Sequence, residues 1–94
     1  MNKASALHIL VKTESEALAL KKKLDAGADF SQLAKKNSTC PSKKNGGDLG
    51  EFKRGAMVKS FDNAVFKKGS EDQKYIGPVK TRFGYHLIKV LYKS

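Results

Sequence analysis

The run SALHILV, Ser5 to Val11, alternates as an extended strand does, with Leu7, Ile9 and Val11 on one face and Ala6, His8 and Leu10 on the other. A second strand-forming run, GYHLIKVLY, lies near the other end of the chain at residues 84–92. Segments of helical period stand between them, which points to an α+β fold. Each of the two strands is interrupted by one histidine, and a buried imidazole is unfavourable unless it finds a hydrogen-bond partner. His8 and His86 therefore both need a structural or chemical reason.

Thr13 and Glu16 have capping-box spacing, and Ala17, Leu20 and Leu24 form an apolar stripe that stops before Gly27. This pattern predicts a helix over 14–26. Asp29 and Gln32 repeat the spacing around Phe30, Leu33 and Ala34, predicting a short second helix that ends at Asn37. Residues 38–50, STCPSKKNGGDLG, are loop chemistry, since Pro41 and the Asn45-Gly46-Gly47 cluster cannot sustain a helix or a long strand. A brief strand, LGEF, follows. Val58, Phe61, Ala64 and Val65 then sit at helical spacing in MVKSFDNAVFKK, ended by Gly69. GSEDQKY reads as a polar excursion and IGPVKT as a short strand. The predicted order is β-α-α-β-α-β-β, with a four-stranded, mostly antiparallel sheet and three to four helices in one domain spanning residues 1–94.

The totals exclude several classes. Hydrophobic residues make up 39% of the chain and no tract is repetitive, which favours a folded unit over disorder. Cys40 is the only cysteine, so no internal disulfide is possible and a reducing compartment is the simpler setting. MNKASALHILVK is a poor signal peptide, because its apolar run is short, broken by His8 and followed by no small-residue cleavage site. No segment reaches the length of a membrane span. The expected setting is cytoplasmic, with no membrane partner. A formal charge of +10 invites a nucleic-acid reading. However, Arg54 and Arg82 are the only arginines among 19 basic residues, and the lysines are scattered rather than built into a stripe. A solvated surface with weak steering toward acidic partners is the better reading, and no specific nucleic-acid partner is expected.

ALHILVK, GGDLGEF, MVKSFDNAVF and GPVKTRFGYHLIKV, taken together and in order, resemble a parvulin-type peptidyl-prolyl cis-trans isomerase, especially the small single-domain bacterial cytoplasmic type. The likeness runs from Ala6 to Tyr92. It implies a parvulin-like (FKBP-like) sheet and a monomeric enzyme acting on proline-containing polypeptide clients. It also implies that His8 and His86 are the family's paired histidines on neighbouring central strands, each the other's burial partner. Whether such a pair moves protons or only holds the pocket in shape stays open at this point. Cys40 matches a position where parvulins carry cysteine or aspartate near the substrate carbonyl, which favours a polar or electrostatic role over a nucleophilic one. His8, Cys40 and His86 are the catalytic candidates. Leu49, Met57, Phe61 and Phe83 match walls of the proline pocket, and Thr81 matches a further polar pocket position. From periodicity alone, Phe61 and Leu49 would be assigned to the core. The glycine cluster at 46, 47 and 50 is no phosphate loop and instead suits a tight backbone path near a cleft.

The reaction the resemblance implies requires no metal, nucleotide or covalent cofactor, and one cysteine with two distant histidines makes a poor metal set. Phosphorylation-directed parvulins carry a long basic loop after the first strand, whereas here HILVK passes through Thr13 into the first helix almost at once. A phosphate clamp is therefore not expected, and the residue before proline should be unphosphorylated, either apolar or, given Lys12 and its neighbours, acidic. KKGSEDQKYIGP is more polar than the usual family segment, which bears on the local path rather than the pocket. Two rivals remain: a proline-peptide-binding chaperone module with little turnover, and a lysine-rich nucleic-acid-binding protein.

Overall fold

The structure is a computed structural model and describes residues 2–94. Its regular elements are β1 (Lys3–Val11), α1 (Glu14–Asp25), α2 (Phe30–Asn37), β2 (Asp48–Lys53), α3 (Lys59–Phe66), β3 (Ile76–Thr81) and β4 (Gly84–Lys93). Two short 3-10 turns, Pro41–Asn45 and Ser70–Asp72, fall inside the predicted loop and the predicted polar excursion. The order of strands and main helices is the one the sequence predicts.

Local chemistry explains the helix starts. Thr13 Oγ1 accepts the Glu16 N–H at 3.2 Å, and an Asp29 carboxylate oxygen accepts the Gln32 N–H at 3.0 Å, so each cap satisfies a backbone donor that the first turn leaves free. α3 has no side-chain cap. Instead, Asp62 within it accepts the Gly55 N–H at 2.7 Å and ties down the turn that leads in. This helix is shorter than the apolar spacing predicts, because Val58 is extended at its start and Lys67 at its end.

The four strands form one sheet in the order β2-β1-β4-β3, with every pairing antiparallel. The two runs from opposite ends of the chain, β1 and β4, are thus the central strands. Packing occurs on both faces, as the alternation in β1 requires. Ile9, Val11 and Leu87 meet Leu20 and Leu24 of α1 and Phe30 and Leu33 of α2. On the other face, Ala4, Ala6, Ile88 and Val90 meet Phe61, Val65 and Phe66 of α3, with Phe52 from β2. Ile9, Leu87 and Ile88 are fully buried, each contributing roughly 1.5–3 kcal/mol of apolar transfer. Among the described residues, no helix is long and apolar enough to cross a membrane.

Candidate active site

The register of the central pair sets opposite each other Leu10 and His86, and His8 and Ile88. His8 and His86 are therefore diagonal neighbours on the α3 face, close enough for large side chains to meet. Their Nδ1 atoms are 3.1 Å apart and their rings stack with centroids 5.3 Å apart, tilted by 22°. Both rings are about 95% buried. Thr81 Oγ1 lies 2.7 Å from His86 Nε2 and accepts the Phe83 N–H at 3.1 Å. These contacts make a chain from hydroxyl to imidazole to imidazole that admits two proton arrangements. In one, Thr81 donates to His86, His86 donates to His8, and His8 carries its proton on Nε2. In the other, every donor along the chain is reversed. His8 Nε2 is buried with no partner among the described residues, so the chain ends there.

The pKa of both imidazoles is lowered from 6.5 to about 4, at His86 by burial and at His8 by burial together with the neighbouring His86. Both rings are neutral at pH 7. Phe61 stands edge-on to both, with centroids 5.7 Å from His8 and 5.2 Å from His86, and is itself only 2% exposed. It belongs to the buried cluster under α3 and also lines the cleft described below.

The Cys40 loop is stitched to β1. Ser38 Oγ accepts the N–H of Leu10 at 3.0 Å and of Cys40 at 3.3 Å, while the Thr39 N–H donates to the Leu10 carbonyl at 2.8 Å. On the far side of the 3-10 turn, the Gly47 carbonyl accepts the His8 N–H at 2.9 Å. Gly47 has φ +87°, and any Cβ there would strike the His8 carbonyl oxygen. The glycine cluster thus lets the backbone pass directly against the histidine strand.

These pieces enclose a cleft of about 360 Å³. Of the residues singled out from the sequence, His8, Cys40, Leu49, Met57, Phe61, Phe83 and His86 line it. Thr81 does not line it, and its hydroxyl meets His86 Nε2 from outside the cleft. Leu10, Thr39, Pro41 and Val58 also line the cleft and were not singled out. Leu10 could have been found from its alternation with His8, and Val58 from its helical spacing with Phe61. Thr39 and Pro41 carry no signal beyond flanking Cys40. Among the described residues, no charged side chain lines the cleft. Among the described residues, no group of three or more His, Cys, Asp or Glu is placed to hold a metal ion. The arrangement is suited to gripping a small apolar ring in an apolar site with few, neutral polar groups.

Comparison with known proteins agrees with this fold. The family model for the rotamase, or PPIC-type PPIase, domain matches residues 8–91. The chain is 56% identical over 86 residues to the foldase protein PrsA of Exiguobacterium sibiricum, covering 90% of this chain and 28% of that protein. It is similarly 52% identical over 93 residues to the PrsA foldase of Geobacillus kaustophilus, covering 98% of this chain and 32% of that protein. The chain thus spans about a third or less of these curated relatives. Among solved structures, it superposes on peptidylprolyl isomerase PrsA of Bacillus anthracis with a TM-score of 0.88 at 47% identity, covering 95% of this chain and 41% of that one. It superposes on NmPin, the parvulin of Nitrosopumilus maritimus, with a TM-score of 0.81 at 45% identity, covering 96% of both chains. The parvulin-like sheet and helix order expected from the sequence is the architecture these structures share.

Proposed function

This chain belongs to the PPIC-type peptidyl-prolyl cis-trans isomerase family, and we propose that it accelerates rotation about X-Pro bonds in polypeptide clients by non-covalent binding in its apolar cleft. The observation that carries this reading is a 360 Å³ cleft without a charged side chain, built on two buried neutral imidazoles. The planar X-Pro amide is held by resonance that separates charge between oxygen and nitrogen, behind a barrier of ~18–20 kcal/mol. The twisted transition state loses that separation. A dry, uncharged site withdraws water from the polar planar form and so favours the twisted one, while the walls grip the proline ring. Lowering the barrier by about 7 kcal/mol gives roughly five decades of rate.

In this reading Leu49, Met57, Phe61 and Phe83 seat the ring. His8 and His86 form the neutral floor, oriented by Thr81, and Cys40 is a polar neighbour of the substrate carbonyl rather than a nucleophile. No phosphate clamp takes part. Residues 1–94 act as one domain, a reading supported by the continuous sheet from Lys3 to Lys93. The single unpaired thiol supports a reducing, cytoplasmic setting, and we place the domain there as a monomer. Sedimentation and cell fractionation test those two placements.

The central test is proline-peptide isomerisation followed by exchange NMR, on the wild type and on Met57→Ala and Phe61→Leu. Phe61→Leu is preferred to an alanine because a buried phenylalanine truncated to alanine loses about 3–5 kcal/mol of stability. The expected result is acceleration over the uncatalysed rate that both substitutions reduce about tenfold or more. No acceleration by the wild type defeats the proposal. Cys40→Ser and His86→Ala test the roles of thiol and floor: retained turnover in a folded His86→Ala rules out proton transfer by that ring, and abolished turnover in Cys40→Ser rules out a purely polar role.

A further inference from the structure

We infer that Arg82 is a specificity residue of this cleft, its guanidinium receiving the carboxylate of an Asp or Glu that precedes the client's proline. The inference rests on the isomerase reading above. Arg82 sits in the turn between β3 and β4, and its Cζ lies 4.9 Å from the centroid of the Phe83 ring. Phe83 lines the cleft and is, among the described residues, the most exposed large apolar side chain, at 56%. Stacking on an aromatic face positions a guanidinium while leaving its N–H edge free to grip a carboxylate in two places. The turn is also anchored, since the Phe83 N–H donates to Thr81 Oγ1, which contacts His86. Arg82 is therefore a cation held at the rim at a fixed offset from the floor.

Its charge is unspent. Among the described residues Arg82 makes no ion pair, whereas Lys3 meets Glu51 and Lys93 meets Glu71. No carboxylate lines the cleft to compete for it. The two acids adjacent in sequence to lining residues, Asp48 and Asp62, each already accept a backbone N–H, from Gly50 and Gly55. The other arginine gives an internal control. Arg54 stacks in the same way, 4.8 Å from the Phe66 ring, but Phe66 and Arg54 lie outside the cleft.

The test uses four peptides that differ only in the residue before proline: Glu, Gln, Ala or Lys. Affinity is read by NMR titration and turnover by exchange, for wild type, Arg82→Gln and Arg54→Gln. At low salt the wild type should prefer Glu over Gln by about three- to fivefold, the range of a partly exposed ion pair. Arg82→Gln should abolish that preference, Arg54→Gln should keep it although it removes the same charge, and 1 M salt should suppress it in the wild type. Equal handling of Glu and Gln by the wild type overturns the inference, as does a preference that survives Arg82→Gln or disappears with Arg54→Gln. If no peptide is isomerised, the isomerase reading fails, and the affinity ratios still decide the role of Arg82.

Discussion

Two buried imidazoles that stay neutral make the molecule sensitive to acid in a defined window. The folded pKa of each ring is about 4 and the unfolded value about 6.5. Between these values the unfolded chain takes up protons that the folded chain refuses, so the unfolded state gains as pH falls. Stability from this source is complete above pH 6.5, declines as pH falls, and is fully lost below about 4. At 1.36 kcal/mol per pKa unit, the ceiling is about 3 kcal/mol for each ring, and charging one ring opposes charging the other. Side-chain NMR titration should give no midpoint above about 4 for either histidine, and urea unfolding should show falling stability from pH 6.5 to 4.5 with no loss from pH 8 to 6.5. A midpoint near 6.5 for either ring overturns this account. The same neutrality predicts that isomerisation stays flat from pH 6.5 to 8, since no floor residue changes charge there.

The return of the chain from the 3-10 turn into β2 is a tight joint between elements beside the site. Gly47 combines φ +87° with a Cβ position that would meet the His8 carbonyl oxygen and lie 3.1 Å from the Ala34 Cβ. β1 is paired on both sides and cannot yield. Gly47→Ala should therefore lose about 3 kcal/mol and carry the cleft activity down with it, while Gly50→Ala, at φ +71° but facing open space, should lose only about 1 kcal/mol. Thermal unfolding of the two variants checks this, and equal losses would refute the close-approach reading. Elements of this kind were legible in the sequence where their cause is local: the caps at Thr13 and Asp29, the alternation of β1, and the stripe of α1. Features with non-local causes were not. The register shift between Ser5 and Ala6 is set by pairing with β4, where simple alternation would send Leu91 and Lys93 to the face of Leu87. Instead Leu91 is 47% exposed, and Lys93 turns toward the α3 side to bond Glu71 at 3.1 Å and the Lys67 carbonyl at 2.8 Å. Likewise, alternation placed His8 on a face but could not name His86 as its partner across 78 residues; only the family resemblance could. Thr39 and Pro41 reach the cleft through loop closure, which leaves no periodic trace.

At the scale of the whole molecule, a charge of +10 is confined within a radius of gyration of 12.0 Å, with two ion pairs among the described residues to offset it. That radius is comparable to the ~10 Å Debye length at 0.1 M salt, so like charges across the surface repel one another at low ionic strength. The repulsion acts on the compact state more than on the expanded unfolded chain. Raising sodium chloride from 10 to 300 mM should therefore raise the midpoint of thermal unfolding by about 5 °C, corresponding to about 1 kcal/mol for a domain of this size. The same field draws acidic segments toward the surface, where Arg82 at the cleft rim would hold them in place. Salt should consequently act with opposite signs on two measurements: it raises stability and lowers kcat/KM for a Glu-Pro peptide, while leaving kcat/KM for an Ala-Pro peptide nearly unchanged. Sodium acetate should reproduce the stability gain of the chloride salt, because screening depends on ionic strength rather than on a bound ion. A midpoint that is flat or falls with salt would show that the lysines are too well separated to repel.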